Sequence, residues 1–154
     1  MENRHHTDVI VIHCSATSPF LDIGAGEIRT LHSSPKGEMV PWNGGQMPAF
    51  GWDDIGYHYV VRRDGRVERG RDINAIGAHV KGYNSVSIGI CLIGGGDGKF
   101  DFTKGQMWSL EKLITATLGV FPHAAVRGHN DYTKYKTCPN FDVKMWWYNG
   151  LWQG

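Results

Sequence analysis

The stretch Val86-Ser-Ile-Gly-Ile-Cys-Leu-Ile93 decides the fold class. Its nearly continuous apolar character, closed by the glycine-rich run 94–98, is typical of a strand that is covered on both faces of a sheet. A second run rich in β-branched residues, Asp8-Val-Ile-Val-Ile-His13, predicts another buried strand. We therefore expect a sheet whose centre lies at 86–93.

Segments on either side of this strand extend the sheet. Asp64-Gly65 separates residues 56–63 from 66–71, and this pair is a strong hairpin signal because both positions tolerate positive φ. Residues 124–127 predict one more short strand. The sheet should therefore mix one antiparallel hairpin with other strands.

Helical patterns alternate with these strands. Helices are predicted over 22–32, over 103–119 and over 143–152. Thr103 and Gln106 have the spacing of a capping box, and Trp146 and Trp147 are expected to pack on the core. The interleaving predicts an α/β fold, a single domain with a mixed central β-sheet and helices packed on its faces.

Composition excludes several functional classes. The chain has 154 residues, with 16 Lys and Arg against 15 Asp and Glu, which gives no broad basic field for nucleic acid or anionic lipid. No stretch approaches the ~20 apolar residues of a membrane span, and the apolar run 9–12 is too short for a signal peptide. We therefore expect neither nucleic acid nor membrane as a direct partner, and synthesis in the cytoplasm with reduced cysteines.

A long segment, 33–52, breaks both the helical and the strand pattern. It is rich in Pro, Gly, Met and Trp, and we interpret it as a long loop. Such loops are often functional in compact domains, and this one carries Trp42 and Phe50. We hypothesise that residues 33–50 of this loop form the wall of a binding groove, using Trp42 and Phe50.

Three residues of zinc-ligand type stand apart in the sequence. They are His13 at the end of a strand, His129, and Cys138. Cys14 should face away from His13 because successive strand residues point to opposite faces, and His58 is the next candidate for a fourth ligand. Spacing alone leaves two interpretations open, a catalytic zinc with three protein ligands or a buried core histidine with an inert cysteine.

Lys136 strengthens the catalytic interpretation. In an extended segment, residues 136 and 138 lie on the same side, so the Lys136 ammonium would lie near a metal bound by Cys138. A fixed cation at this place suits the oxyanion of a hydrolytic reaction. The alternative is an ordinary solvated lysine.

The motifs together resemble those of a known family. They are 11–17 (Val-Ile-His-Cys-Ser-Ala-Thr), 54–65, 77–84, 87–95, Arg127-Gly-His129 and 136–142 (Lys-Thr-Cys-Pro-Asn-Phe-Asp). In this order they resemble the phage lysozyme-type N-acetylmuramoyl-L-alanine amidases, which share a fold with peptidoglycan recognition proteins. The resemblance runs from about residue 7 to about residue 148.

The resemblance implies a reaction and a set of roles. His13, His129 and Cys138 would bind one Zn²⁺ per chain, and Tyr57 and Lys136 would flank it. The substrate would be peptidoglycan, cleaved at the amide between N-acetylmuramic acid and the L-alanine of the stem peptide by a zinc-activated water. A tyrosine with a pKa near ~10 is a poor base, so we expect Tyr57 to orient groups first and to move protons second.

Other positions are assigned with less specific support. His79 and Asn84 are the candidates for substrate contacts, although Asn84 could equally be a turn residue. Related amidases often carry Glu where this chain has Cys91, which we expect to pack as a small buried hydrophobe. The general base is therefore not assigned.

The expected organisation is an N-terminal arm, 1–7, followed by a zinc amidase domain, 8–154, acting as a monomer. As an endolysin, it would be made in the host cytoplasm and would reach the cell wall after membrane permeabilisation. Two alternatives are a noncatalytic peptidoglycan-binding module and an amidase that also inhibits a phage RNA polymerase. Cys138 favours catalysis, because noncatalytic relatives typically replace that residue.

Overall fold

The computed structural model describes residues 1–150. In chain order the helices and strands are β1 (Val9–Cys14), α1 (Ala25–Ser33), β2 (Met39–Trp42), β3 (Gly45–Pro48), β4 (Tyr59–Val61), β5 (Val67–Arg69), β6 (Ser87–Leu92), α2 (Lys104–Val120), β7 (Ala125–Gly128) and α3 (Val143–Asn149). Among the described helices, none combines the length and the apolar character required to cross a membrane.

Five strands form the main sheet in the order β5-β4-β6-β1-β7. β5 is antiparallel to β4, while β4, β6, β1 and β7 run parallel to their neighbours. The strand predicted as central, β6, is the middle one. Because β1 and β7 are parallel neighbours, the residues at their carboxyl ends meet at one edge of the sheet, where α/β proteins place ligands.

Alternation along β1 and β6 divides the core between the two faces of the sheet. Ile12 and Ile90 face one side, where they pack with Leu110 and Ile114 of α2. Cys91 faces the other side, in a cluster with α1. Each fully buried Ile or Leu contributes about 1.5–3 kcal/mol relative to exposure. The predicted mixed sheet with helices on its faces is confirmed.

The predicted capping box at the start of α2 is confirmed. Thr103 Oγ1 accepts from the Gln106 N–H at 3.0 Å, and Gln106 Oε1 accepts from the Thr103 N–H at 3.0 Å. The buried Gln106 amide also donates to the carbonyls of Val61 and Ile93, which ties the helix to the ends of β4 and β6.

The predicted hairpin at Asp64-Gly65 is confirmed with shorter strands than expected. Gly65 has φ +89°, a conformation that glycine adopts without steric cost, and the Arg62 N–H donates to the Arg66 carbonyl at 2.8 Å. The last helix also ends earlier than predicted, at Asn149, where Gly150 takes the left-handed conformation of a helix C-cap. Positions 151–152 of that prediction lie outside the described residues. Trp146 and Trp147 pack against the α2-side core as expected.

The prediction of a structureless loop over 33–52 is wrong. The segment contains the β2–β3 hairpin, with Asn43 at φ +51° and Gly44 at φ +81° in the turn. Asn-Gly is a strong hairpin signal, but it is flanked here by four-residue strands, each with a proline, that bury little besides Val40. The strands are therefore too short and too exposed to give a clear period-two pattern.

Residues 1–7 run alongside the segment 74–76. Asn3 forms an antiparallel bridge with Ala75, and the Arg4 guanidinium donates to the Ala75 carbonyl at 2.8 Å. The arm therefore makes defined contacts with the body of the protein. Its division from the amidase domain remains a prediction.

Candidate active site

His13, His129 and Cys138 form a cluster at the carboxyl edge of the sheet. Their ligand atoms all lie within 4.8 Å of one another. His13 is 1% exposed near the end of β1, and His129 follows the neighbouring strand β7 directly. Parallel pairing of these two strands brings together residues that are 116 positions apart in the sequence.

Backbone hydrogen bonds hold Cys138 in the cluster. The Cys14 N–H donates to Cys138 Sγ at 3.1 Å, and the Cys138 carbonyl accepts from the Asn130 N–H at 2.8 Å. The Cys14 side chain packs in the α2-side core. Cys14 is therefore not part of the cluster, as strand alternation predicts.

His58, the other candidate for a fourth ligand, is engaged elsewhere. Its Nδ1 accepts from the Gly89 N–H at 3.0 Å, and its Nε2 donates to the Ala75 carbonyl at 2.8 Å. Within residues 1–150 the cluster thus has three protein members. Three His and Cys ligands with one remaining position are typical of a catalytic zinc rather than a structural one.

Burial keeps both cluster imidazoles neutral. Burial, with His79, His129 and Lys136 nearby, holds the pKa of His13 well below its usual value. Burial and then Lys136 lower the pKa of His129. Metal ions bind the neutral imidazole, so both histidines are in the required form at neutral pH.

The pKa of Cys138, the third member of the cluster, is raised rather than lowered. Its hydrogen bond with Cys14, followed by burial, raises the pKa of the Cys138 thiol. A divalent cation deprotonates a thiol that coordinates it. Metal binding at this cluster should therefore release the proton of Cys138.

Tyr57 lies beside the cluster and is neutral. Its ring centroid is 5.1 Å from that of His13. Burial raises the pKa of Tyr57 well above its usual value. The phenol is thus a hydrogen-bond donor at the site, consistent with an orienting role.

Cys91 is fully buried, and burial raises the pKa of its thiol. The prediction that it packs as a small buried residue is confirmed. A protonated buried thiol is unsuited to act as the general base that a Glu provides elsewhere.

Lys136 is exposed at the rim of the same site. Its charge contributes to the lowered pKa of both His13 and His129. Within the described chain no carboxylate forms an ion pair with it. The ammonium is therefore available to a negative charge that develops beside the cluster.

A cleft of about 770 Å³ opens over the cluster. One wall is aromatic and apolar and includes Trp42, Met47, Phe50 and Trp52, and the segment 135–138 also lines the cleft. Trp42 and Phe50 therefore line the groove, as the hypothesis for this segment requires. The volume is within the range of small-molecule and peptide pockets.

Residues 3–141 match the protein family described as N-acetylmuramoyl-L-alanine amidase. The chain belongs to this family. It therefore cleaves the amide that joins N-acetylmuramic acid to L-alanine in peptidoglycan, and it is a peptidoglycan hydrolase. The resemblance described from the sequence motifs is confirmed.

Individual relatives agree with this assignment. The chain is 45% identical over 150 residues to the endolysin of Escherichia phage T7, covering 95% of this chain and 89% of that protein. The solved Ph2119 endolysin of a Thermus scotoductus bacteriophage superimposes with TM-score 0.71 at 30% identity, covering 90% of this chain and 79% of that one. Drosophila PGRP-LB shares the fold, with TM-score 0.72 at 23% identity and coverage of 95% and 84%.

The two residues proposed for substrate contacts both line the cleft of this amidase. The Asn84 Oδ1 atom accepts from the N–H groups of His79 and Val80, each at 2.8 Å, so it also stabilises the turn that carries His79. The His79 ring is bonded through both nitrogens, to His13 and to Ser87. Asn84 therefore has the turn role that the sequence left open, and its substrate role stays a prediction.

Arg71 stabilises the backbone near Tyr57, and the sequence analysis does not identify it. Its buried guanidinium donates to the carbonyls of Asp54, Ile55 and Ile76, between 2.8 and 3.0 Å. These bonds fix the segment that leads into Tyr57. The sequence carries no signal for them, because the acceptors are backbone atoms brought together only by the fold.

Proposed function

We propose that this chain is a zinc-dependent endolysin whose metal is held by His13, His129 and Cys138. The observation that carries the proposal is the three-membered cluster at the floor of the cleft, with ligand atoms within 4.8 Å. Two imidazoles and a thiolate suit Zn²⁺. Bound there, the ion would supply a Lewis acid that activates water and polarises the scissile carbonyl.

The surrounding residues act on charge and orientation. Substrate binds with its lactyl carbonyl beneath Lys136, and the ammonium stabilises the negative charge that forms on the carbonyl oxygen. Tyr57, neutral and buried, orients the reacting groups through its hydroxyl. This division assigns transition-state stabilisation to Lys136 and positioning to Tyr57.

Substrate is held along the cleft by the β2–β3 hairpin and the segment after it. Trp42 and Phe50 stack on sugar rings or on the stem peptide. The Asn84 Nδ2 group has no hydrogen-bond partner among residues 1–150 and is available to a substrate carbonyl. A hairpin deletion that leaves peptidoglycan binding unchanged would remove this part of the proposal.

The site of action is the cell wall. The protein is made in the host cytoplasm, and it reaches peptidoglycan after the membrane has been permeabilised. The endolysin relatives support this route. Peptidoglycan is the proposed macromolecular partner.

Metal content and wall clearing, measured on the same preparation, test the proposal. We expect one zinc per chain, clearing of isolated peptidoglycan that a chelator abolishes, and restoration by added zinc. The products should carry new L-alanine amino termini and no new reducing sugar ends. Zinc-free protein that binds peptidoglycan without cutting it would instead indicate a recognition module.

A further inference from the structure

His79 connects a proposed metal ligand to the central strand of the sheet. Its Nδ1 atom lies 2.8 Å from His13 Nε2, and its Nε2 atom lies 3.1 Å from Ser87 Oγ. The two imidazole rings meet edge to face, with centroids 4.9 Å apart and an interplanar angle of 85°. Both nitrogens of His79 are therefore engaged within the protein.

We propose that His79 is a positioning residue that fixes the tautomer and the orientation of His13 for metal binding. The inference rests on the proposed zinc site. Because His13 Nε2 is bonded to His79, only Nδ1 of His13 is left for a metal. A metal at Nδ1 requires the lone pair there, so the proton of His13 must be on Nε2.

The direction of the remaining hydrogen bonds follows from this requirement. The His13 Nε2–H group donates to His79 Nδ1, which must then be unprotonated. The proton of His79 is on Nε2 and is donated to Ser87 Oγ. The reverse direction would place a proton on His13 Nδ1 and would exclude the metal. His79 therefore selects the His13 tautomer that can coordinate.

Strand β6 provides the place in which the His79 ring lies. Ser87 and Gly89 are two residues apart and face the same side of the sheet, opposite Val9 and Val11 of β1. A Cβ atom at Gly89 would lie 2.6 Å from the His79 ring. The pattern Ser-x-Gly thus supplies both the acceptor for Nε2 and the space for the ring.

This arrangement explains why a histidine at position 79 is suited to the site without touching the metal. Partners that accept the second ring N–H of a ligating histidine fix its tautomer and raise its basicity. Their loss typically weakens metal affinity by about 10- to 100-fold. The role differs from substrate contact, which would change KM and leave zinc affinity unaltered.

Two matched variants separate these roles. His79→Phe keeps a ring of similar size and removes the acceptor, whereas His79→Asn places a carbonyl oxygen near the position of Nδ1. Zinc affinity, measured by competition with a chromophoric chelator, should fall about 10- to 100-fold in His79→Phe and should be largely restored in His79→Asn. Unfolding temperatures of the zinc-free proteins control for loss of the fold.

The result that overturns the inference is wild-type zinc affinity in folded His79→Phe. An increase in KM for both variants without a change in zinc affinity would also overturn it, in favour of a substrate contact. Wild-type protein that binds no zinc would contradict the proposed function itself. The two failures are therefore distinguishable.

A measurement on the unaltered protein decides the question if the variants do not fold. The ¹⁵N chemical shifts of the zinc-loaded protein report which nitrogen of each histidine is protonated. We expect protonated Nε2 in both His13 and His79, with unprotonated Nδ1 in His79. A proton on His79 Nδ1 contradicts the inference.

Discussion

The floor and the aromatic wall of the cleft are built in different ways. The floor consists of His13, His129 and Cys138, and His13 projects from β1 beside the fully buried Cys91 at the paired position of β6. The wall consists of the β2–β3 hairpin, whose strands pair only with each other and expose Met39 and Met47, and of the segment after it, which carries Phe50 and Trp52. Hydrogen bonds to side chains, such as that between His13 and His79, fix the floor. Backbone hydrogen bonds from Phe50 and Trp52 to the end of α1 attach the wall.

This difference indicates a division of labour. Of the cluster residues, which must be placed to within a fraction of an ångström, His13 lies on a buried strand and His129 directly follows one. Hydrogen bonds to the backbone hold Cys138, which lies in a loop. Groups that provide area for contact lie on a surface hairpin, where changes in sequence have a smaller energetic cost. Substitutions on the floor should therefore affect catalysis and metal affinity, and substitutions on the wall should affect binding.

Cys138→Ser is expected to have the largest effect. The change removes the thiolate, so zinc binding weakens and cleavage of peptidoglycan is lost. A loss of several kcal/mol in transition-state stabilisation corresponds to about 10³-fold or more in rate. Metal content and clearing rate measure it, and the fold with part of the peptidoglycan affinity should remain. Full activity of zinc-poor Cys138→Ser would contradict the ligand assignment.

Lys136→Ala is expected to have the second-largest effect. Loss of a donor at a developing oxyanion costs about 10²- to 10³-fold in kcat, and KM should change little because the contact forms mainly in the transition state. Lys134→Ala is the matched control, since Lys134 is an exposed lysine of the same loop. A change confined to KM would make Lys136 a substrate-binding residue.

The sequence predicts the floor of the cleft better than the wall. The runs 8–13 and 86–93 are apolar because they are covered on both faces, and this local signal identifies β1 and β6 directly. The hairpin over 39–48 has only short, exposed strands, so its side chains carry no comparable pattern. Its Asn-Gly turn is the one local signal for it.

The sequence likewise predicts some features of the site and not others. Residue type and spacing suggest His13, His129 and Cys138 as zinc ligands, and the motif resemblance makes the assignment specific. The bond between His13 and His79 joins residues 66 positions apart, and no spacing rule could predict it. The only related sequence feature is the pair Ser87 and Gly89. That these two residues face the same side of the sheet as His13 follows only from the register of β1 and β6.

Acidification of the zinc-free protein should destabilise both regions, and the floor more than the wall, because burial also lowers the pKa of His13 and His79 there. His58 lies beneath the floor and His32 behind the wall, where it stacks on Phe50, and burial lowers the pKa of each ring to about 4. The unfolded chain binds protons near pH 6.5. The stability that these two neutral rings contribute is therefore fully present above that pH. It declines as the pH falls towards 4, by about 2 kcal/mol per ring between pH 7 and pH 5.

Urea unfolding of the zinc-free protein at pH 7 and pH 5 measures this loss. His32→Gln and His58→Gln should each flatten the pH dependence by a similar amount. If only His58→Gln flattened the profile, the wall would contribute no acid-sensitive stability.

Trp42→Ala is expected to have the smallest effect and to separate binding from chemistry. Trp42 is half-buried, lining the cleft on one side and packing on Val40 and Ala49 on the other. One aromatic stacking contact is worth about 0.5–1.5 kcal/mol, so affinity for a muropeptide should fall roughly 2- to 13-fold. Zinc affinity should be unaltered, because the hairpin supplies none of the cluster residues.

Trp108→Ala, on an exposed face of α2, is the control. A fall in kcat at saturating substrate, with unchanged affinity, would mean that the wall positions the reacting amide and would remove the division between the two regions.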